Sequence, residues 1–76
     1  MKKLPIFVNG IEKILLDYEK KFISYELIVK MTGKNPAHAL YTVTFFKGNT
    51  QGTLIPGQSV RIKKGMVFNV YYTGAA

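Results

Sequence analysis

An Asn-Gly pair at positions 9 and 10 stands between two runs of strand-forming residues, Leu4-Pro5-Ile6-Phe7-Val8 and Ile11-Glu12-Lys13-Ile14-Leu15-Leu16. Both central residues of a type I′ turn need positive φ, which Asn and Gly tolerate best, and the twist of that turn suits a hairpin. The chain is therefore expected to open on a β-hairpin. Pro5 has no N–H to give, so it belongs near the strand start or on an unpaired side. With 76 residues and no cysteine, the hairpin has to be stabilised by packing within one small domain. That favours a sheet covered by a helix.

A helix is expected next. Ser24 is placed as its N-cap, with Ile23 and Ile28 at the two positions of a hydrophobic staple. Glu26 in the first turn and Lys30 in the last both suit the helix dipole. Leu27, Ile28 and Met31 make the expected buried stripe, and Gly33 followed by Asn35-Pro36 ends the helix. The remainder reads as β structure. Leu40 to Phe46 is β-branched and aromatic, Lys47 to Gly52 reads as a turn, and Gly52-Thr53-Leu54-Ile55 as a short return strand. Gln58 to Ile62 is extended. Met66 to Tyr72 forms the last strand, with Met66, Phe68 and Val70 on one face. Residues 1–72 make the domain, and Thr73-Gly74-Ala75-Ala76 reads as a flexible C-terminal tail.

Element order leads to a fold class. Hairpin, helix, then several strands ending in a long one is an α+β arrangement, a mixed sheet of four to five strands with one crossing helix. Parallel placement of the first and last strands gives a β-grasp.

The residues carry a resemblance beyond that order. Ile6-Phe7-Val8-Asn9-Gly10, Ile23-Ser24-Tyr25-Glu26-Leu27-Ile28-Val29-Lys30, Tyr41-Thr42-Val43-Thr44 and Pro56-Gly57-Gln58-Ser59-Val60-Arg61-Ile62-Lys63-Lys64-Gly65-Met66-Val67-Phe68-Asn69-Val70 resemble the bacterial multiubiquitin family over nearly the whole chain. The last segment is the most specific. The resemblance implies a ubiquitin-like protein modifier encoded beside activating, conjugating and peptidase proteins, in operons some of which are linked to antiphage defence. Its implied partners are an adenylating enzyme that uses ATP, a conjugating enzyme, a peptidase that trims the tail, and target proteins. Here there is one domain, and the chain ends Thr73-Gly74-Ala75-Ala76 rather than in a Gly-Gly pair.

A modifier's last residue threads narrow enzyme channels, which suits a flexible residue without a Cβ. Gly74 is the residue that meets this need, with Ala75-Ala76 expected as a short segment removed by the peptidase. A terminus with no role is the alternative.

The net charge is +7, and all four acids, Glu12, Asp17, Glu19 and Glu26, precede Lys30. That asymmetry points either to a basic face that meets an acidic partner or to a solvated surface that keeps the chain soluble. Arg61, Lys63 and Lys64 are the basic candidates for partner binding; Lys47 reads as a loop lysine. Tyr41, Phe45, Tyr71 and Tyr72 cannot all reach a core covered by one helix, because strand alternation sends neighbours to opposite faces. They are candidates for a recognition patch on the helix-free sheet face, or for packing among themselves.

No catalytic apparatus is expected. His38 is the single histidine and has no companions for a triad or a metal site. Ser24 has no base beside it. No cofactor is implied. No apolar run approaches the roughly 20 residues of a spanning helix, so a cytoplasmic protein beginning at Met1 is expected. The rival reading is a basic β-grasp binding module without conjugation, either for single-stranded nucleic acid, since a pI near 9.8 and aromatic strands are the ingredients of a stacking platform, or as a protein scaffold joined at sheet edges.

Overall fold

Asn9 and Gly10 take φ of +52° and +81°, as a turn with both central residues left-handed requires. The strands they join are β1 (Lys3–Val8) and β2 (Ile11–Leu16), antiparallel in register from Lys3↔Leu16 to Val8↔Ile11. The computed structural model describes residues 3–16 and 21–75. Next come β3 (Phe22–Ser24), α1 (Tyr25–Met31), β4 (Ala39–Lys47), β5 (Thr50–Leu54), β6 (Ser59–Arg61) and β7 (Val67–Ala75).

The main sheet has five strands in the order β2-β1-β7-β4-β5, and β3 pairs with β6 in a separate ribbon. β1 and β7 run parallel through Phe7↔Val67 and Val8↔Phe68, while β7 is antiparallel to β4. This mixed sheet with one crossing helix is the expected β-grasp. Pro5 fits without loss. The Phe7 N–H points toward the β7 side, to the Met66 carbonyl. The ring of Pro5, two residues earlier, therefore faces that side below the start of β7, and its carbonyl accepts the Gly65 N–H at 2.7 Å.

The helix starts where expected. Ser24 Oγ accepts the Leu27 N–H at 3.1 Å with extended backbone at the cap, and the staple residues Ile23 and Ile28 are fully buried. The buried stripe differs from the expected one. Tyr25, Ile28 and Val29 go inside, whereas Leu27 and Met31 are only half-buried against the core. Positions i, i+3 and i+4 share a helix face, and starting the helix at Tyr25 puts that tyrosine on it. Ile6, Val8, Val43 and Phe68 of the sheet, with Met66 just before β7, share the buried core with the helix. Met66 and Phe68 lie inward as expected, with Val70 partly buried beside them.

Three boundaries depart from the sequence reading. The turn expected over Lys47–Gly52 contracts to Gly48-Asn49, since Lys47 pairs with Thr50 and Gln51 with Phe46. β3 was not foreseen. Three residues carry too little alternation to announce a strand, and its partner β6 lies far along the chain. The last strand runs to Ala75 rather than Tyr72, so Thr73, Gly74 and Ala75 are strand residues and not a free tail. Small residues carry no strand signal of their own; the open backbone of Ala39 and Leu40 pairs with Ala75 and Gly74. Among the described residues no helix is long and apolar enough to cross a membrane.

Candidate functional site

Beyond Val70 the molecule narrows to a two-stranded ribbon formed by Ala39–Thr42 of β4 and Tyr71–Ala75 of β7. Two side-chain bonds mark its base. Asn9 Oδ1 accepts the Val70 N–H at 2.8 Å, closing the parallel pairing where β1 turns away. The Tyr25 hydroxyl accepts the Tyr41 N–H at 2.9 Å; β5 pairs with β4 only as far as Val43, so this hydroxyl stands in for a missing strand.

Gly74 lies in the ribbon, opposite Leu40, and Ala75 lies opposite Ala39. The register slips between Leu40 and Tyr41, because Tyr41 pairs with Tyr72 and Leu40 with Gly74. Thr73 is thus the extra residue of a β-bulge, which bends its strand and weakens pairing locally. Gly74 adopts φ +156°, and nothing lies within 4 Å of the place a Cβ would take. Backbone conformation, and not lack of room, makes the position suit glycine. Ala76 lies outside the described residues.

The aromatic candidates do not form one patch. Tyr41, Phe45 and Tyr72 stand on the helix side of the sheet, paired with or facing the core strands, and Tyr71 alone is on the helix-free side, opposite Thr42. Tyr41 and Tyr72 pack edge to face at 5.9 Å between ring centroids. Phe45 leans on the buried Phe68 at 6.4 Å and is half-buried. Tyr41, Tyr71 and Tyr72 therefore surround the approach to Gly74, with Tyr71 and Tyr72 largely exposed, whereas Phe45 belongs to the core layer.

Arg61, Lys63 and Lys64 lie elsewhere. Lys63 Nζ is 3.3 Å from Thr50 Oγ1 at the start of β5, and Lys64 is exposed in the turn closed by the Met66 N–H to the Lys63 carbonyl. That turn precedes β7, and Gly74 is near its far end, roughly 25 Å away at the rise of an extended strand. Lys47, read from sequence as a plain loop lysine, reaches the same end: its Nζ lies 3.1 Å from the Cβ position of Gly65.

Sequence reasoning missed the apolar band on the helix-free face. Phe7, Val67 and Phe46 fall in one row across β1, β7 and β4, with Ile14 and Leu16 exposed beside them on β2. The period-two alternation of Glu12, Ile14 and Leu16 against Leu15 was the available signal. Asp17 and Glu19 lie outside the described residues. His38 sits in the turn before β4, its Nε2 3.5 Å from Asn35 Nδ2, and among the described residues no three metal-ligating side chains gather.

A family model described as Multiubiquitin matches residues 5–74. Comparison with curated proteins and with solved structures gives no match. The family match takes in the opening hairpin, the crossing helix and β7 through Gly74, the elements that build the sheet and its ribbon. The chain belongs to the multiubiquitin family.

Proposed function

We propose that this chain is a bacterial ubiquitin-like modifier joined to target proteins through Gly74. One observation carries the reading: the family match runs through Gly74 and leaves Ala75 and Ala76 outside it. A peptidase removes those two residues and exposes the Gly74 carboxylate. The carboxylate then attacks the α-phosphorus of ATP on an adenylating enzyme, releasing pyrophosphate. The acyl group passes to a nucleophile of the conjugating enzyme with release of AMP, and finally to a nucleophile on the target, such as a lysine amine, which frees the enzyme's nucleophile. The modifier contributes no catalytic group and holds no cofactor. It works in the bacterial cytoplasm, and antiphage defence is the setting in which we place it.

The ribbon supports this use of Gly74. Beyond the bulge only the pairings Leu40↔Gly74 and Ala39↔Ala75 hold the end to β4. Lifting the end into the peptidase breaks those two pairings, and once Ala75 and Ala76 are gone only Leu40↔Gly74 has to open for the later enzymes. Tyr71 and Tyr72, 55% and 67% exposed, put one aromatic ring on each face of the ribbon for an enzyme to grip. Arg61, Lys63 and Lys64 lie at the opposite end and are not part of this contact.

Intact mass spectrometry of the chain expressed with its genomic neighbours tests the proposal, with Gly74→Glu as the comparison. Loss of Ala75-Ala76 together with higher-mass adducts that disappear in the variant is the expected result. An unchanged mass in an otherwise active operon overturns it.

A further inference from the structure

The β3–β6 ribbon displays an exposed aromatic ring under a guanidinium. Strand alternation turns Ile23 and its partner Val60 toward the core, and turns the directly paired Phe22 and Arg61 outward. Phe22 is 59% exposed, and the Arg61 Cζ stands 5.9 Å from its ring centroid. The ladder continues past the pair, because the Ile62 N–H donates to the Lys21 carbonyl at 2.9 Å. Ring and guanidinium are therefore held on a rigid backbone, not on a loop.

Cations gather around this pair. Lys63 and Lys64 follow Arg61 with only Ile62 between, whereas Lys21, opposite the buried Ile62, falls on the other face of the ribbon by the same alternation. Lys63 reaches Thr50, and Lys47 reaches Gly65 beside Lys64. The described carboxylates are elsewhere: Glu12 lies opposite Phe7 on β2, and Glu26 accepts the Gly57 N–H at 2.9 Å beyond the other end of the ribbon. Asp17, Glu19 and Lys20 are outside the described residues.

We infer that this surface binds single-stranded nucleic acid, with a base stacked on the Phe22–Arg61 pair and phosphates held by Lys47, Lys63 and Lys64. The choice of ligand rests on what the surface offers. Ser24 and Ser59, the next outward pair on the ribbon, are polar, so on the ribbon's described outward face Phe22 has no apolar neighbours to form the desolvated pocket of a protein anchor. A flat π face with a planar cation and several ammonium groups matches a base and its backbone. The site lies at the far end of the molecule from Gly74, and it stands whether or not Gly74 is conjugated.

Fluorescence anisotropy of the full chain with a labelled single-stranded oligonucleotide, titrated between 50 and about 200 mM salt, tests this. Neutralising three phosphates gives log affinity a slope of about −2 against log salt. Phe22→Leu keeps an apolar side chain without the π face and weakens binding about ten-fold with the slope unchanged, while Phe22→Trp retains it. Lys63→Ser with Lys64→Ser reduces the slope by about one to one and a half. Thermal melting of each variant matches the parent. The inference is overturned by absence of binding at the lowest salt. It is equally overturned if polyphosphate or an acidic peptide competes at equal charge while Phe22→Leu binds like the parent, which would mark a surface that attracts charge alone. Binding to anionic lipid vesicles without binding to the oligonucleotide overturns it as well.

Discussion

Tyr25→Phe removes one oxygen from the core and should loosen the base of the ribbon that carries Gly74. The ring is 1% exposed, so its packing survives, and what is lost is the acceptor of the Tyr41 N–H at 2.9 Å. A lost intramolecular hydrogen bond costs about 1 kcal/mol, and a buried donor left without a partner about 1–3 kcal/mol. Tyr41 is half-buried, so partial access of water to its N–H brings the expected cost to about 1.5 kcal/mol. For a domain of this size each kcal/mol shifts Tm by roughly 4–8 °C, which gives a fall of roughly 6–12 °C. Thermal unfolding followed by circular dichroism reads the shift. Amide exchange by NMR locates it: the Tyr41 N–H should exchange faster than the global loss of stability accounts for. Tyr71→Phe is the control, because Tyr71 is 55% exposed and on the other face, and its change should stay within about 0.5 kcal/mol. A Tm within 2 °C of the parent in Tyr25→Phe, with Tyr41 exchange unaltered, would refute the assignment of the Tyr25 hydroxyl as a substitute for a missing strand.

Other substitutions probe the elements that position the ribbon. Phe68→Ala empties a fully buried site below Phe45 and costs about 3–5 kcal/mol. Total stability for 76 residues is only about 4–11 kcal/mol, so the urea midpoint should fall steeply or the fold be lost. Ser24→Ala deletes the cap to the Leu27 N–H and should lower stability by about 1 kcal/mol in urea titration, with no change in m. Asn9→Gly keeps the left-handed turn position at φ +52° but loses the acceptor of the Val70 N–H. It should cost about 1 kcal/mol and speed exchange at Val70; Asn9→Ala should cost more, because the left-handed region penalises a Cβ without a local polar side chain.

Reading and structure agree where the physics is local. Asn9-Gly10 specifies its hairpin through backbone angles that few other residues tolerate, so neither the turn nor its flanking strands waits on a distant partner. Ser24 caps the helix with its own side chain, three residues from the N–H it receives. The inward set of the last strand, Met66 and Phe68, follows from period-two alternation around residues too apolar to be left in water. The family resemblance drew on the same segments. The basic asymmetry was visible as well, since charge is a property of composition and needs no contact.

What escaped the sequence depends on pairs far apart along the chain. Residues 22–24 became a strand because residues 59–61 lie beside them, and that same pairing set Arg61 over Phe22. Gly74 and Ala75 became strand residues, with Thr73 as the bulge before them, because β4 extends past the end of the hairpin and offers Gly74 and Ala75 partners. The two readings of the tyrosines stayed open for a related reason: alternation says that neighbours part, but only the register of β4 on β7 says which face each one takes. Sequence alone determined the Asn9-Gly10 turn, the Ser24 cap and the alternation of apolar residues in the last strand, because those are fixed by backbone angles, nearby hydrogen bonds and exclusion from water. Tertiary structure decided where Gly74 is held and which cations share a surface, because strand register is settled by backbone groups that are identical in every residue and acquire their partners only when the sheet has closed.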